Sequence, residues 1–216
     1  MKPDTCDITH PLAREYAETH TSPEDEVLRD ITRWTHLNMA QPRMNAGPYQ
    51  GRLLQMVSQM IRPSRAIEIG SYVGYSTICL ARGLRPDGIL HAVEVEEEYE
   101  DRIRTHLRQA GVENRVNLHI GDAAQVIPQI DEIFDLAFVD ADKTHTREHY
   151  DLILPKMRSG GFILVDNILW GGKVLSNTAD RDTRILKDFN EYVQNDARVE
   201  NLLLPVRDGL MLCRVI

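Results

Sequence analysis

Cysteine is scarce in this chain, and the three that occur form no pattern. Cys6, Cys79 and Cys213 are odd in number and lack metal or redox spacing, which speaks against a disulfide scaffold, a zinc cluster or a dithiol centre. Reduced thiols are expected, with Cys79 and Cys213 in the core. No apolar run approaches the roughly 20 residues that a membrane span needs. The opening stretch, MKPDTCDITHPLAREYAETH, holds no apolar signal core, so we expect neither export nor insertion and a cytoplasmic location. Excess positive charge is also missing: 25 Lys and Arg against 33 Asp and Glu give a formal net charge of −8. A general polyanion binder needs clustered cations, which this balance disfavours. The chain shows no repeat, no low-complexity tract and no linker.

At 216 residues the sequence fits one domain, with a helical cap over 1–62 and a body of strands and helices over 63–216. In the cap, Ser22-Pro23-Glu24 reads as N-cap, N1 and acidic first turn of a helix, and Leu53, Leu54, Val57, Met60 and Ile61 as the apolar face of another. From Arg65 the texture changes to short β-rich runs at 66–69, 89–95, 116–120, 134–139 and 162–165, with helices starting near residues 75, 96, 123 and 146. That rhythm, with right-handed crossovers, predicts an α/β doubly wound, Rossmann-like sheet. The end differs. Runs at 202–206 and 210–216 are separated only by Arg207-Asp208-Gly209, a hairpin signal, so the last strand should run antiparallel.

Two of the runs end in acid: 134–139 leads into Asp140, and 162–165 leads into Asp166 and Asn167. Adjacent parallel strands finish on the same rim, where ligands bind, so these three oxygen-bearing side chains can converge on one cation. Oxygen donors without Cys or His suit a hard ion, Mg²⁺ with Mn²⁺ or Ca²⁺ as alternatives. Lys143 follows Asp140 by three residues, which places an amine beside that ion; its other reading is an exposed lysine paired with Asp142. Asp-Asn after a strand is also ordinary turn chemistry, but its repetition after two strands favours a metal.

The first strand runs into Gly70-Ser71-Tyr72-Val73-Gly74, with Glu68 ahead of the turn. A dinucleotide site would show GxGxxG and seat a pyrophosphate on the helix start; here the spacing is GxxxG, and an acid at the lip repels phosphate. A nucleoside that carries a cationic group and no phosphate fits better, as S-adenosylmethionine (SAM) does. Glu94 closes the second strand about 20 residues beyond Gly74, where an acid can accept both ribose hydroxyls. The acids at 96–98, 100 and 101 favour a helix start.

The segments MNAGPYQG, EIGSYVGYSTICLAR, HAVEVE, GDAAQVIPQ, FDLAFVDADK and GGFILVDNILWGGKV, in that order across 44–174, resemble the cation-dependent O-methyltransferases, the group of catechol and caffeoyl-CoA O-methyltransferases. The resemblance implies a seven-stranded sheet of order 3-2-1-4-5-7-6, methyl transfer from SAM, a divalent cation and a homodimer. It also implies a cofactor site lined by Ala46, Glu68, Gly70, Tyr72, Ser76, Glu94, Ala123 and Asp140, a metal triad of Asp140, Asp166 and Asn167, and Lys143 as the base. Two departures concern the acceptor. Leu202 stands where catechol-methylating animal members carry a glutamate, which argues against a free-catechol specialist, and Thr146 stands where many bacterial relatives carry tyrosine.

The function this implies is methylation of a hydroxyl on a vicinal-diol aromatic small molecule. Methylation of a hydroxylated uridine in tRNA is the alternative, weakly opposed by the acidic charge. A Rossmann oxidoreductase is disfavoured by the missing GxGxxG. His145 and His149 flank the site without ligand spacing and receive no role. Trp170 with Gly171 and Gly172 either walls the substrate pocket or packs on the sheet, and Trp34, Met39 and Met44 read as lid or core.

Overall fold

The computed structural model describes residues 8–176 and 180–216, and Cys6 lies outside them. Seven strands form one sheet: β1 (Arg65–Ile69), β2 (Ile89–Glu94), β3 (Val116–Ile120), β4 (Phe134–Val139), β5 (Met157–Asp166), β6 (Val199–Leu204) and β7 (Leu210–Val215). Their order is β3-β2-β1-β4-β5-β7-β6. β1 to β5 pair in parallel, while β7 runs antiparallel to both β5 and β6. Order and strand sense are those expected.

The unbroken apolar runs follow from this topology, because a parallel strand with helices on both faces has no wet side. Alternate residues serve alternate faces. Ala66, Leu90, Leu136, Phe138 and Leu164 join one core, and Ile67, Ile69, Val93, Ala137, Val139, Ile163 and Val165 join the other. Cys79 lies in the first and Cys213 in the second, both as free thiols. The helices are α1 (Pro11–Thr19), α2 (Glu26–Asn38), α3 (Gly47–Ile61), α4 (Tyr75–Ala81), α5 (Glu100–Gln109), α6 (Ala123–Val126), α7 (Thr146–Ile153) and α8 (Arg181–Gln194). α2 and α3 add Leu28, Ile31 and Leu54 to the first core alone, so the N-terminal helices cover one face of the sheet. Among the described residues no helix is long and apolar enough to cross a membrane.

Four local expectations are corrected. α2 is capped by Asp25, whose carboxylate accepts the Leu28 N–H at 3.0 Å, and not by Ser22. Glu24 is drawn out of the first turn because its carboxylate accepts the Tyr75 hydroxyl at 2.6 Å and the Thr32 hydroxyl at 3.1 Å. The buried face of α3 is Gln50, Gly51, Leu54 and Ser58; Leu53, Val57 and Ile61 only flank the core, and Met60 is 75% exposed. β5 begins at Met157, five residues before the apolar run that marks it. Trp34 and Met39 pack against the first core, whereas Met44 is 54% exposed.

The turned face of α3 reflects close packing on α4, every residue of which is buried. Ser58 donates to the Leu80 carbonyl at 2.7 Å, and Gly51 faces the Tyr75 ring. Alanine for glycine inside a helix ordinarily gains about 1 kcal/mol. In Gly51→Ala the new Cβ would stand 2.5 Å from Tyr75 Cε1 and 3.0 Å from Cys79 Sγ. Overpacking of roughly 1–3 kcal/mol should win. Urea denaturation is expected to show a net loss of stability; an unchanged or raised midpoint would contradict this contact.

Candidate active site

The chain runs from β1 outward to β2 and β3, then returns to β4 on the other side of β1. That reversal opens a crevice at the strand ends, the place where such sheets bind ligands. The Asp140 N–H donates to the Ile69 carbonyl and the Gly70 N–H to the Val93 carbonyl, each at 2.9 Å, so the ends of β1, β2 and β4 are tied together. Gly70 has φ +91°, and a Cβ there would overlap the Asp140 carbonyl. Glycine is required at that point by the approach of the two chains.

Glu94 closes β2, is 5% exposed, and orders the turn after β1: one oxygen accepts the Tyr72 N–H at 2.6 Å and the other the Glu96 N–H at 3.0 Å. Tyr72 adopts a left-handed backbone at φ +52° and donates its hydroxyl to the Gln41 carbonyl at 3.2 Å. Glu68 has no exposed surface, so it stands behind the lip of the turn and not on it. Its carboxylate accepts the hydroxyls of Thr77 at 2.5 Å and Ser71 at 3.3 Å. Burial pushes it up to about 7 against those hydrogen bonds, and its other oxygen has no partner. Ser76 is buried on α4, and buried Ala123 opens α6 just past β3, where the Gly121 N–H donates to the Glu94 carbonyl at 2.8 Å. Ala46 lies across the rim at the start of α3.

Asp140 and Asn167 come together on Lys143, and Asp166 lies close enough to Asp140 for its charge to act on it. The Lys143 ammonium donates to Asn167 Oδ1 at 2.6 Å and Asp140 Oδ1 at 3.3 Å, and the side chain is only 14% exposed. Asp142, its alternative partner, instead accepts the Thr144 N–H and hydroxyl and pairs with His145 at 2.8 Å. Asp166 is 5% exposed; one oxygen accepts the Asn167 N–H at 2.8 Å and the other the Gln50 side-chain amide at 2.5 Å. Burial, and then the charge on Asp166, push Asp140 up to about 6. Among the described residues no three His, Cys, Asp or Glu side chains converge. The set here is two carboxylates and one amide oxygen, of which Asp140 and Asn167 already hold a positive charge, and this is the donor chemistry a hard divalent cation takes.

Three residues at the rim were not foreseen from the sequence: Gln50, Arg207 and Asp208. Asp166 is paired with Leu210 in register, so the turn before β7 arrives beside Asn167. The Asp208 carboxylate accepts the Gly171 N–H, while its carbonyl accepts the Leu169 N–H at 2.9 Å. Burial raises its pKa. It thereby holds a segment with left-handed backbone at Asn167, Trp170, Gly171 and Gly172. Trp170 is partly buried, with an indole N–H that has no partner. Beside this segment a cleft of about 600 Å³ is lined by Thr9, Tyr49, Gly171, Pro205, Arg207 and Asp208. Leu202 lies on the outer strand, 54% exposed and two residues short of its rim end; Pro205 stands at the cleft instead. Thr146 is buried at the start of α7, and His149 is buried with Nδ1 unpartnered.

Residues 18–216 match the O-methyltransferase family. The chain belongs to that family. This O-methyltransferase is 34% identical over 184 residues to tricin synthase 2 of Oryza sativa subsp. japonica, covering 79% of this chain but only 63% of the rice protein. It is 30% identical over 203 residues to a caffeoyl-CoA O-methyltransferase of Stellaria longipes, covering 88% and 84% of the two chains. Among solved structures it is similar to the O-methyltransferase TomG of Streptomyces achromogenes, involved in tomaymycin synthesis and determined in complex with SAM. That pair shares 30% identity with a TM-score of 0.84, over 94% of this chain and 96% of TomG.

Glu68 gives the methyltransferase turn a pH signature. Its folded value of about 7 exceeds the ordinary 4.5, so between the two the native state holds a proton that the unfolded chain has released. Stability then falls as pH rises through that window. Glu68→Gln should remove this dependence, so that its stability relative to the parent climbs between about pH 5 and about pH 8 by up to roughly 3 kcal/mol. A pH-independent difference between the two denaturation midpoints would rule out the buried ionisation.

Proposed function

We propose that this chain is a SAM-dependent and divalent-cation-dependent O-methyltransferase whose acceptor is a small hydroxylated aromatic with neighbouring hydroxyls. The observation that carries the reading is the meeting of Asp140 and Asn167 on the Lys143 ammonium, with the Asp166 carboxylate beside Asp140, at the crevice that the turn after β1 also faces. The acidic character of that crevice suits a neutral ribose and a sulfonium better than a pyrophosphate. Ala46, Gly70, Tyr72, Ser76, Glu94, Ala123 and Asp140 would surround SAM, which supplies the methyl group when bound. Asp140, Asp166 and Asn167 would hold the cation, which lowers the pKa of a coordinated hydroxyl and fixes two adjacent oxygens.

The chain's own residues then have distinct tasks. Glu94 keeps lone pairs beyond its two backbone partners for the ribose hydroxyls. Lys143 stands where it can take the acceptor's hydroxyl proton once its ammonium has given one up, and between transfers it balances the carboxylates. The cleft beside Tyr49, Pro205 and Asp208 orients the ring so that the hydroxyl faces the donor, and such positioning contributes to the rate of a direct displacement.

Glu94→Ala should weaken SAM binding by about tenfold or more in calorimetry, while NAD shows no binding to the parent. Lys143→Ala should lower kcat by roughly 10²-fold and leave SAM affinity unchanged; unaltered turnover would remove it from the chemistry. Chelation should abolish transfer, with recovery on adding Mg²⁺ or Mn²⁺, and full activity after metal stripping would overturn the cation requirement. Labelled methyl transfer into a cell extract, split by RNase treatment, identifies the acceptor class: label lost to RNase would mean tRNA.

A further inference from the structure

Gln50 lies in the first turn of α3, 3% exposed, with both ends of its amide engaged. Nε2 donates to Asp166 Oδ2 at 2.5 Å, and Oε1 accepts Arg207 Nη1 at 2.7 Å. An amide can rotate to present either end, but a guanidinium has only donors. Arg207 therefore obliges the oxygen to face it and leaves the NH₂ for Asp166. Arg207 is itself fixed, because the same Nη1 donates to the Ala46 carbonyl. With Asn167 N–H on the other oxygen at 2.8 Å, the Asp166 carboxylate is clamped at both ends. The clamp joins three stretches far apart in the chain: α3, the end of β5 and the turn before β7.

We propose that Gln50, aimed by Arg207, is a positioning residue that sets the rotation of the Asp166 carboxylate toward the cation. This rests on the cation reading of the preceding subsection. A neutral amide suits the task, since it fixes one oxygen by a hydrogen bond without placing a competing charge beside the ion. Gln50 is too deeply covered to act on the acceptor directly, so its effect passes through Asp166.

The test titrates Mn²⁺ alone into the full chain and follows the free ion by electron paramagnetic resonance. Gln50→Met keeps the volume and removes both hydrogen bonds; it should weaken Mn²⁺ binding by roughly 10- to 100-fold and lower kcat, with SAM affinity unchanged. Arg207→Met, an exposed change that leaves the core alone, should give a smaller loss in the same direction. The double variant should be no worse than Gln50→Met, because the two act in series. Parental Mn²⁺ affinity in Gln50→Met, or in Arg207→Met should the first variant fail to fold, would overturn the inference. A parent chain that binds no Mn²⁺ would instead bring down the cation reading, and this proposal with it.

Discussion

Two carboxylates at the ends of neighbouring strands must be kept together, and the rest of the rim answers that demand. Burial and the proximity of Asp166 make a charge on Asp140 unfavourable enough to raise it to about 6. Buried like charges of this kind persist only with compensating charge and hydrogen bonds. Lys143 supplies the charge from the loop that follows β4. Asn167 and Gln50 supply donors to Asp166. The cluster is thus held by one positive group and a few directed donors.

The sheet makes this arrangement inexpensive to hold. Asp140 and Asp166 each follow the last residue of an apolar run whose neighbours are buried on both faces, so their backbone positions are fixed by the two cores. The antiparallel last strand then returns a turn to the same edge, which brings Arg207 and Asp208 to the acid pair from the far end of the chain. Three sequence-distant segments meet at one rim because strand order, and not proximity along the chain, decides who are neighbours.

The strands were legible because a doubly covered strand has an unmistakable composition, as 134–139 and 162–165 show. The acids that close them were legible for the same reason: a polar residue ending such a run has no packing role. The cap at Asp25 was hidden because Glu24 takes the Tyr75 hydroxyl, a contact 51 residues away that no local rule reports. The face of α3 was misjudged because Gly51 and Ser58, small residues, permit a closer approach than the larger Leu53 and Met60. Gln50, Arg207 and Asp208 looked like helix and turn residues. Their meaning depends on the register of β7 with β5, which periodicity does not give.

The segments that resemble the family are those that build the rim. α4, wholly covered on every side, carries the turn after β1. Amide hydrogens in such an element exchange with solvent only when the whole domain opens, whereas those of α1, which buries none of its residues, exchange through small local excursions. The two sides of the crevice therefore differ in compliance: a ligand meets an unyielding floor on the sheet side, and any adaptation to its shape has to come from the peripheral helix and the 600 Å³ cleft next to it.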